Sequence, residues 1–180
     1  MEKIIWNKIL YEWKFLQINS ADIDFGNWKI SNFEYASFKD EGNWVMIVAL
    51  DDENNIYLVE QYQVWCDKRL LVLPRWWCKK WENIEYKANM ELQEEIGMKA
   101  KNIKYLTEME IFSWYIKAKS YLFLATNLEV SKLEWDEIEE IIVHKLPFEK
   151  AVEKIMNWEI MDSRTIAGIF YVKKYLERKK

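Results

Sequence analysis

Three carboxylates stand close together in the segment MELQEEIGM: Glu91, Glu94 and Glu95. On a helix, residues four apart share a face, so Glu91 and Glu95 point the same way and Glu94 flanks them. Carboxylates crowded like this repel one another unless a cation sits among them. Such oxygen donors suit Mg²⁺ or Mn²⁺, ions that also take phosphate oxygens of a substrate. A solvated acidic face has the same pattern, because charge runs on helices commonly face water. A second acidic group, Glu137, Glu139 and Glu140, precedes the apolar run Ile141–Val143. Acids in a loop before a core strand could supply a further ligand or a general base, or be an ordinary polar loop.

The other chemistry-bearing side chains are few. There are two cysteines, Cys66 and Cys78, and one histidine, His144. A single histidine excludes a multi-His metal centre. Two cysteines make no disulfide framework, and a reduced, cytoplasmic setting is expected. Cys66 or Cys78 with His144 could form an ester-cleaving nucleophile. A buried, inert thiol is the commoner state of a cysteine.

The elements that must position these residues follow from periodicity. Short β-like runs, Lys3–Tyr11, Lys14–Asn19 and Trp28–Ala36, are separated by turn-type residues at Asn19-Ser20 and Gly26-Asn27. They predict a small antiparallel subdomain over 1–41, with the boundary at Glu41-Gly42-Asn43 and a main domain over 42–180. The apolar run Trp44–Leu50, a turn at Asp51–Asn55 and the alternating Ile56–Tyr62 predict a hairpin. Leu70–Leu73 is a short buried run ended by Pro74. From Asn83 the period becomes helical: Ile84, Ala88, Leu92 and Ile96 form one apolar stripe, closed by Gly97. Further strands are expected at Ile103–Met109, Ser120–Asn127 and Glu140–Lys145. Helices are expected from Pro147 to about Met156 and over Ser163–Glu177. Strands with an inserted helix and C-terminal helices give an α+β or three-layer α/β/α fold.

Composition bounds the function class. The 180 residues carry 26 Lys+Arg against 30 Asp+Glu, a formal charge of −4, with 51% apolar types. That balance excludes ordinary disorder and argues against non-specific nucleic-acid binding. No run of about 18 apolar residues exists, so no membrane span is expected. The start, MEKIIWNKIL, lacks the apolar stretch of a signal peptide. One imbalance stands out: 11 Trp against only 4 Gly and 2 Pro. At ordinary usage a chain this long would hold roughly a dozen Gly. Either the fold has few tight turns or another residue occupies its glycine positions.

These residues resemble a known family, the Nudix hydrolases, and within it the ADP-ribose pyrophosphatase branch. The family box reads Gly-x5-Glu-x7-Arg-Glu-U-x-Glu-Glu-x-Gly-U, where U is apolar, and falls here on Trp76–Met98. Glu82, Glu91, Leu92, Glu94, Glu95, Gly97 and Met98 match it. The flanking segments VALDDENNIYLVEQY, KRLLVLP, YLFLATNLE, KLPFEKAVEKIMN and TIAGI are similar to the branch as well. The resemblance implies a Nudix α/β/α sandwich with a mixed central sheet. It implies Mg²⁺ or Mn²⁺ held by Glu91, Glu95 and Glu139, with Glu137, Glu94 and Glu82 as catalytic or helping acids. It further implies hydrolysis of a nucleoside diphosphate sugar such as ADP-ribose to AMP and ribose 5-phosphate. A homodimer built on the N-terminal strands is implied too.

The chain departs from the box where substrate phosphates are expected. Trp76 stands for the box glycine and Met90 for the box arginine, and Met90 donates no hydrogen bond. Val72 replaces a Glu before Leu-Pro, and Gln63 replaces an Arg often found after Glu-Gln-Tyr. Trp114 stands at a family glycine in IFSWYIKAK, and Trp13, Trp28 and Trp158 stand at common turn glycines. One expectation is an engineered site on a Nudix scaffold. There Trp65, Trp76, Trp77, Trp81 and Trp114, with Gln63 and Met90, would line a pocket for a flat ligand, or simply pack it shut.

Overall fold

The computed structural model describes residues 2–40, 42–80, 82–134 and 140–179. Along the chain these form β1 (Lys3–Glu12), β2 (Leu16–Asp24), β3 (Ile30–Phe38), β4 (Asn43–Leu50) and β5 (Asn55–Gln63). A short 3-10 turn (Val64–Cys66) leads to β6 (Lys68–Val72), β7 (Arg75–Cys78) and α1 (Ile84–Glu95). Then come β8 (Met98–Glu110), β9 (Ile116–Lys117), β10 (Lys119–Val130), β11 (Ile142–Pro147), α2 (Phe148–Met156) and α3 (Ser163–Glu177).

The unbroken apolar run of β4 dictates the layering. Val45 to Leu50 are all buried. Side chains alternate along a strand, so such a run needs an apolar layer on each face. Val45, Ile47 and Ala49 pack with Trp76, Ala88 and Leu92, which places α1 on one side. Met46, Val48 and Leu50 pack with Phe148, Ala151, Ile169 and Val172, which places α2 and α3 on the other. The central sheet runs β11-β5-β4-β10-β8, with β6 paired to β5 and β7 to β4. β4 and β10 are parallel, while β8, β5 and β7 join antiparallel, so the sheet is mixed as expected.

The predicted hairpin turn forms by side-chain capture. Asp51 Oδ1 accepts from the Glu53 and Asn55 N–H groups at 3.0 and 2.8 Å. The helix of the acidic segment forms where the period changes. Asn83 caps its N-terminus, accepting from the Tyr86 N–H at 3.0 Å. Gly97, at φ +70°, ends it. A left-handed residue after the last turn is a usual helix stop, and glycine adopts it without a Cβ clash.

The first three strands form a separate sheet, ordered β1-β2-β3-β9. One expectation fails here: Asn19-Ser20 is not a turn but the buried middle of β2. Its polar groups serve a cross-strand network instead. Asn19 Nδ2 donates to Ser37 Oγ at 2.9 Å, and Asn32 Nδ2 donates to Ser20 Oγ at 2.8 Å. β9 is an addition that periodicity missed, two residues that pair parallel to Ala36 and Ser37. Every residue of β1 is exposed, including Ile4, Ile5, Trp6, Ile9 and Leu10. Among the described residues no helix is long and apolar enough to cross a membrane.

Candidate active site

The carboxylates of α1 are placed by its apolar stripe. Ala88 and Leu92 are fully buried against the sheet, and this rotation brings Glu95 in with them. Glu95 is only 7% exposed, an unusual environment for a carboxylate. Glu94 and Glu95 line a cavity of about 310 Å³ with Ile96, Gly97, Lys132, Glu140, Ile141 and Val143. The helix end and the segment entering β11 therefore meet at this cavity, where Glu94 and Glu95 share the lining with Glu140. Glu91, one turn earlier, lies 3.8 Å from Lys87 Nζ. Glu82 closes the turn before α1, where its Oε2 accepts from the Lys79 N–H at 2.7 Å.

The donors match a hard divalent cation in chemistry, since all are carboxylate oxygens. Among the described residues, however, no three Asp, Glu, His or Cys side chains come close enough to hold an ion. The expected partners Glu137 and Glu139 lie outside the described residues, as do Trp81 and the Trp65 side chain.

The substituted positions separate from one another. β7 pairs with β4, setting Trp76 beside Val45 and Trp77 beside Trp44. Successive strand residues face opposite ways, so Trp76 and Trp77 diverge. Trp76 is 5% exposed and belongs to the core beneath α1, where its indole Nε1 has no hydrogen-bond partner. Trp77 stacks on Phe38 at 4.1 Å and donates from Nε1 to Asp40 Oδ2 at 2.9 Å. Trp114 is 75% exposed in the loop after β8. Met90 is half-buried on α1.

Gln63 has found a different partner. Its Oε1 accepts from Arg75 Nη2 at 2.9 Å, and Arg75 Nη1 lies 3.1 Å from Asp162 Oδ2. Asp162 caps α3 through the Thr165 N–H and lies 3.7 Å from Arg164. Burial alone would raise the Asp162 carboxyl, but the charges of Arg75 and Arg164 and the Thr165 hydrogen bonds outweigh it and hold it low. Arg164 also stacks over Trp44 at 5.3 Å. Sequence reasoning missed this two-arginine cluster. The only available signal was Asp162 as a helix cap one residue before Ser163.

The cysteines do not meet the histidine. His144 Nε2 pairs with Glu60 Oε2 at 2.9 Å. Cys66 is exposed and Cys78 buried. Burial, with the nearby Glu82 carboxylate, pushes the Cys78 thiol up to about 11. That disfavours the thiolate a nucleophile needs.

The layered sheet with the acidic helix beneath it is the Nudix fold. Over 99% of this chain and 95% of the other, it superposes on a crystal structure of an ADP compounds hydrolase, with a TM-score of 0.86 and 22% identity. The chain is 29% identical to the ADP-ribose pyrophosphatase of Bacillus subtilis, over 95% of its own length and 92% of that protein. It is 24% identical to the ADP compounds hydrolase NudE of Escherichia coli, over 89% and 85%. No family model matches. Fold and relatives together agree with the resemblance of this chain to the ADP-ribose pyrophosphatase branch of the Nudix hydrolases.

Proposed function

We propose that the protein hydrolyses the pyrophosphate of ADP-ribose or a related nucleoside diphosphate sugar. The observation that carries this is the acidic end of α1, where buried Glu95 and Glu94 share one cavity with Glu140. The relatives' names supply the substrate class. A divalent ion, Mg²⁺ or Mn²⁺, held by Glu91, Glu95 and Glu139, would offset phosphoryl charge and acidify a water. Glu137 is assigned as general base. Glu94 helps from the cavity wall, and Glu82 fixes the turn that aims the helix. Trp76 and Met90 remove a glycine and a guanidinium from the box, so turnover is expected to be weak.

We assign 1–41 to a dimer-forming subdomain and 42–180 to the catalytic domain. The exposed apolar residues of β1 support a homodimer through that sheet. A cytoplasmic location accords with the two free thiols.

AMP release from ADP-ribose, with and without Mg²⁺, tests the activity in the intact chain and in Glu95→Gln. Metal-dependent release lost in Glu95→Gln, with unchanged circular dichroism, supports it. Release that ignores both metal and Glu95 overturns it.

A further inference from the structure

Two tryptophans sit on glycine backbone. Trp158 follows α2 with φ +64°. Its N–H donates to Ile155 O at 3.2 Å, and the next N–H, of Glu159, reaches back to Lys154 O at 2.9 Å. This pair of bonds defines a Schellman helix stop, whose left-handed position is usually glycine. Trp28 has the same φ of +64° after Asn27 at +53°, and the Lys29 N–H donates to Gly26 O at 3.1 Å. That is a hairpin turn with both central residues left-handed, for which Asn-Gly is the favoured pair. A bulky side chain is strained in either place.

Burial does not offset the strain. Trp28 is 101% exposed and Trp158 80%. Trp13 and Trp114, also at glycine positions of the resembled branch, are 72% and 75% exposed. Trp76, at the box glycine, is buried with an unpartnered indole N–H. Trp77 behaves differently, for it stacks on two rings and donates a hydrogen bond. The chain has 11 Trp and 4 Gly, so the excess of one accompanies the deficit of the other. A rebuilt pocket does not account for Trp28 and Trp158, which lie in outlying turns.

We infer that Trp13, Trp28, Trp76, Trp114 and Trp158 are glycine positions, decoded as glycine in the polypeptide its own cell makes. One codon allows this without any other change: UGA, which some genetic codes read as tryptophan and others as glycine. Glycine at 28 and 158 relieves the two strained turns. Glycine at 76 removes a buried indole with an unpartnered N–H from β7 and restores the box residue beneath α1, and this last consequence alone rests on the hydrolase reading.

The gene and the native protein test it. The five codons are expected to be UGA and that of Trp77 UGG. Peptide masses of the chain from its own cells should carry glycine at all five. UGG at 28 and 158, or tryptophan masses there, overturns the inference whatever the activity proves to be. In the full chain, Trp28→Gly with Trp158→Gly should raise the unfolding midpoint, while Trp77→Gly lowers it. A lowered midpoint for the first pair overturns the strain on which the inference stands.

Discussion

Arg75 Nη2 donates to Gln63 Oε1 at 2.9 Å, so a guanidinium occupies the surroundings of a position where the resembled enzymes often carry arginine. The charge is held by Asp162 at 3.1 Å, and both side chains are nearly buried. Arg75→Ala leaves that carboxylate without its main partner, and breaking a buried pair costs about 3 kcal/mol. Urea unfolding is expected to show a loss of that order. Asp162→Asn in the same background should recover part of it, because asparagine still caps α3 while carrying no charge.

The turn between β4 and β5 sets a pH dependence. Burial would raise the Asp51 carboxyl, but hydrogen bonds from Lys145 and Asn55 outweigh it and hold the group at about 2, below the ordinary 3.8. A depressed carboxylate stabilises the fold above its unfolded value and loses that contribution as pH falls through the folded one. The stability advantage of the intact chain over Asp51→Asn should therefore be full at neutral pH. It should shrink between about pH 4 and 2. Denaturation midpoints across that range check this, and a constant difference contradicts it.

The two thiols should differ sharply in reactivity. Cys66 is exposed, while Cys78 is buried with its thiol held up to about 11. Alkylation at mildly alkaline pH is expected to label Cys66 first and Cys78 only on unfolding. Peptide mapping after timed iodoacetamide treatment distinguishes them. Equal labelling rates would contradict the burial of Cys78.

Much of this arrangement was legible in the sequence where one signal dominates. The continuous run of β4 required two covering layers. The stripe Ile84, Ala88, Leu92 and Ile96 fixed which way α1 turns its acids. Asn19-Ser20 misled because turn-forming side chains can also bond across strands, and only the register of β2 on β3 brings Ser37 and Asn32 within reach. The Arg75–Asp162 pair spans 87 positions, so no local pattern announces it. Trp76 and Trp77 are neighbours in sequence and both are expected to line one pocket. Their pairing to β4 as strand β7 sends them to opposite faces, which neither period nor motif revealed.

Gly42 shows how tightly that strand closes on the chain. A Cβ there would sit 2.6 Å from the Cys78 carbonyl oxygen and 2.7 Å from the Trp77 ring. Gly42→Ala is expected to cost about 1–3 kcal/mol by overpacking. Gly26, at φ +79° with nothing within 4 Å, should feel only backbone strain, about 1 kcal/mol for alanine. Adding Trp77→Ala to Gly42→Ala removes the ring clash but leaves the carbonyl, which belongs to the β7 backbone and cannot swing away. The double variant should therefore be less destabilised than the two single losses summed, yet remain below Trp77→Ala alone. Thermal unfolding of the three variants checks it, and strict additivity would show that Gly42 and Trp77 do not share the space.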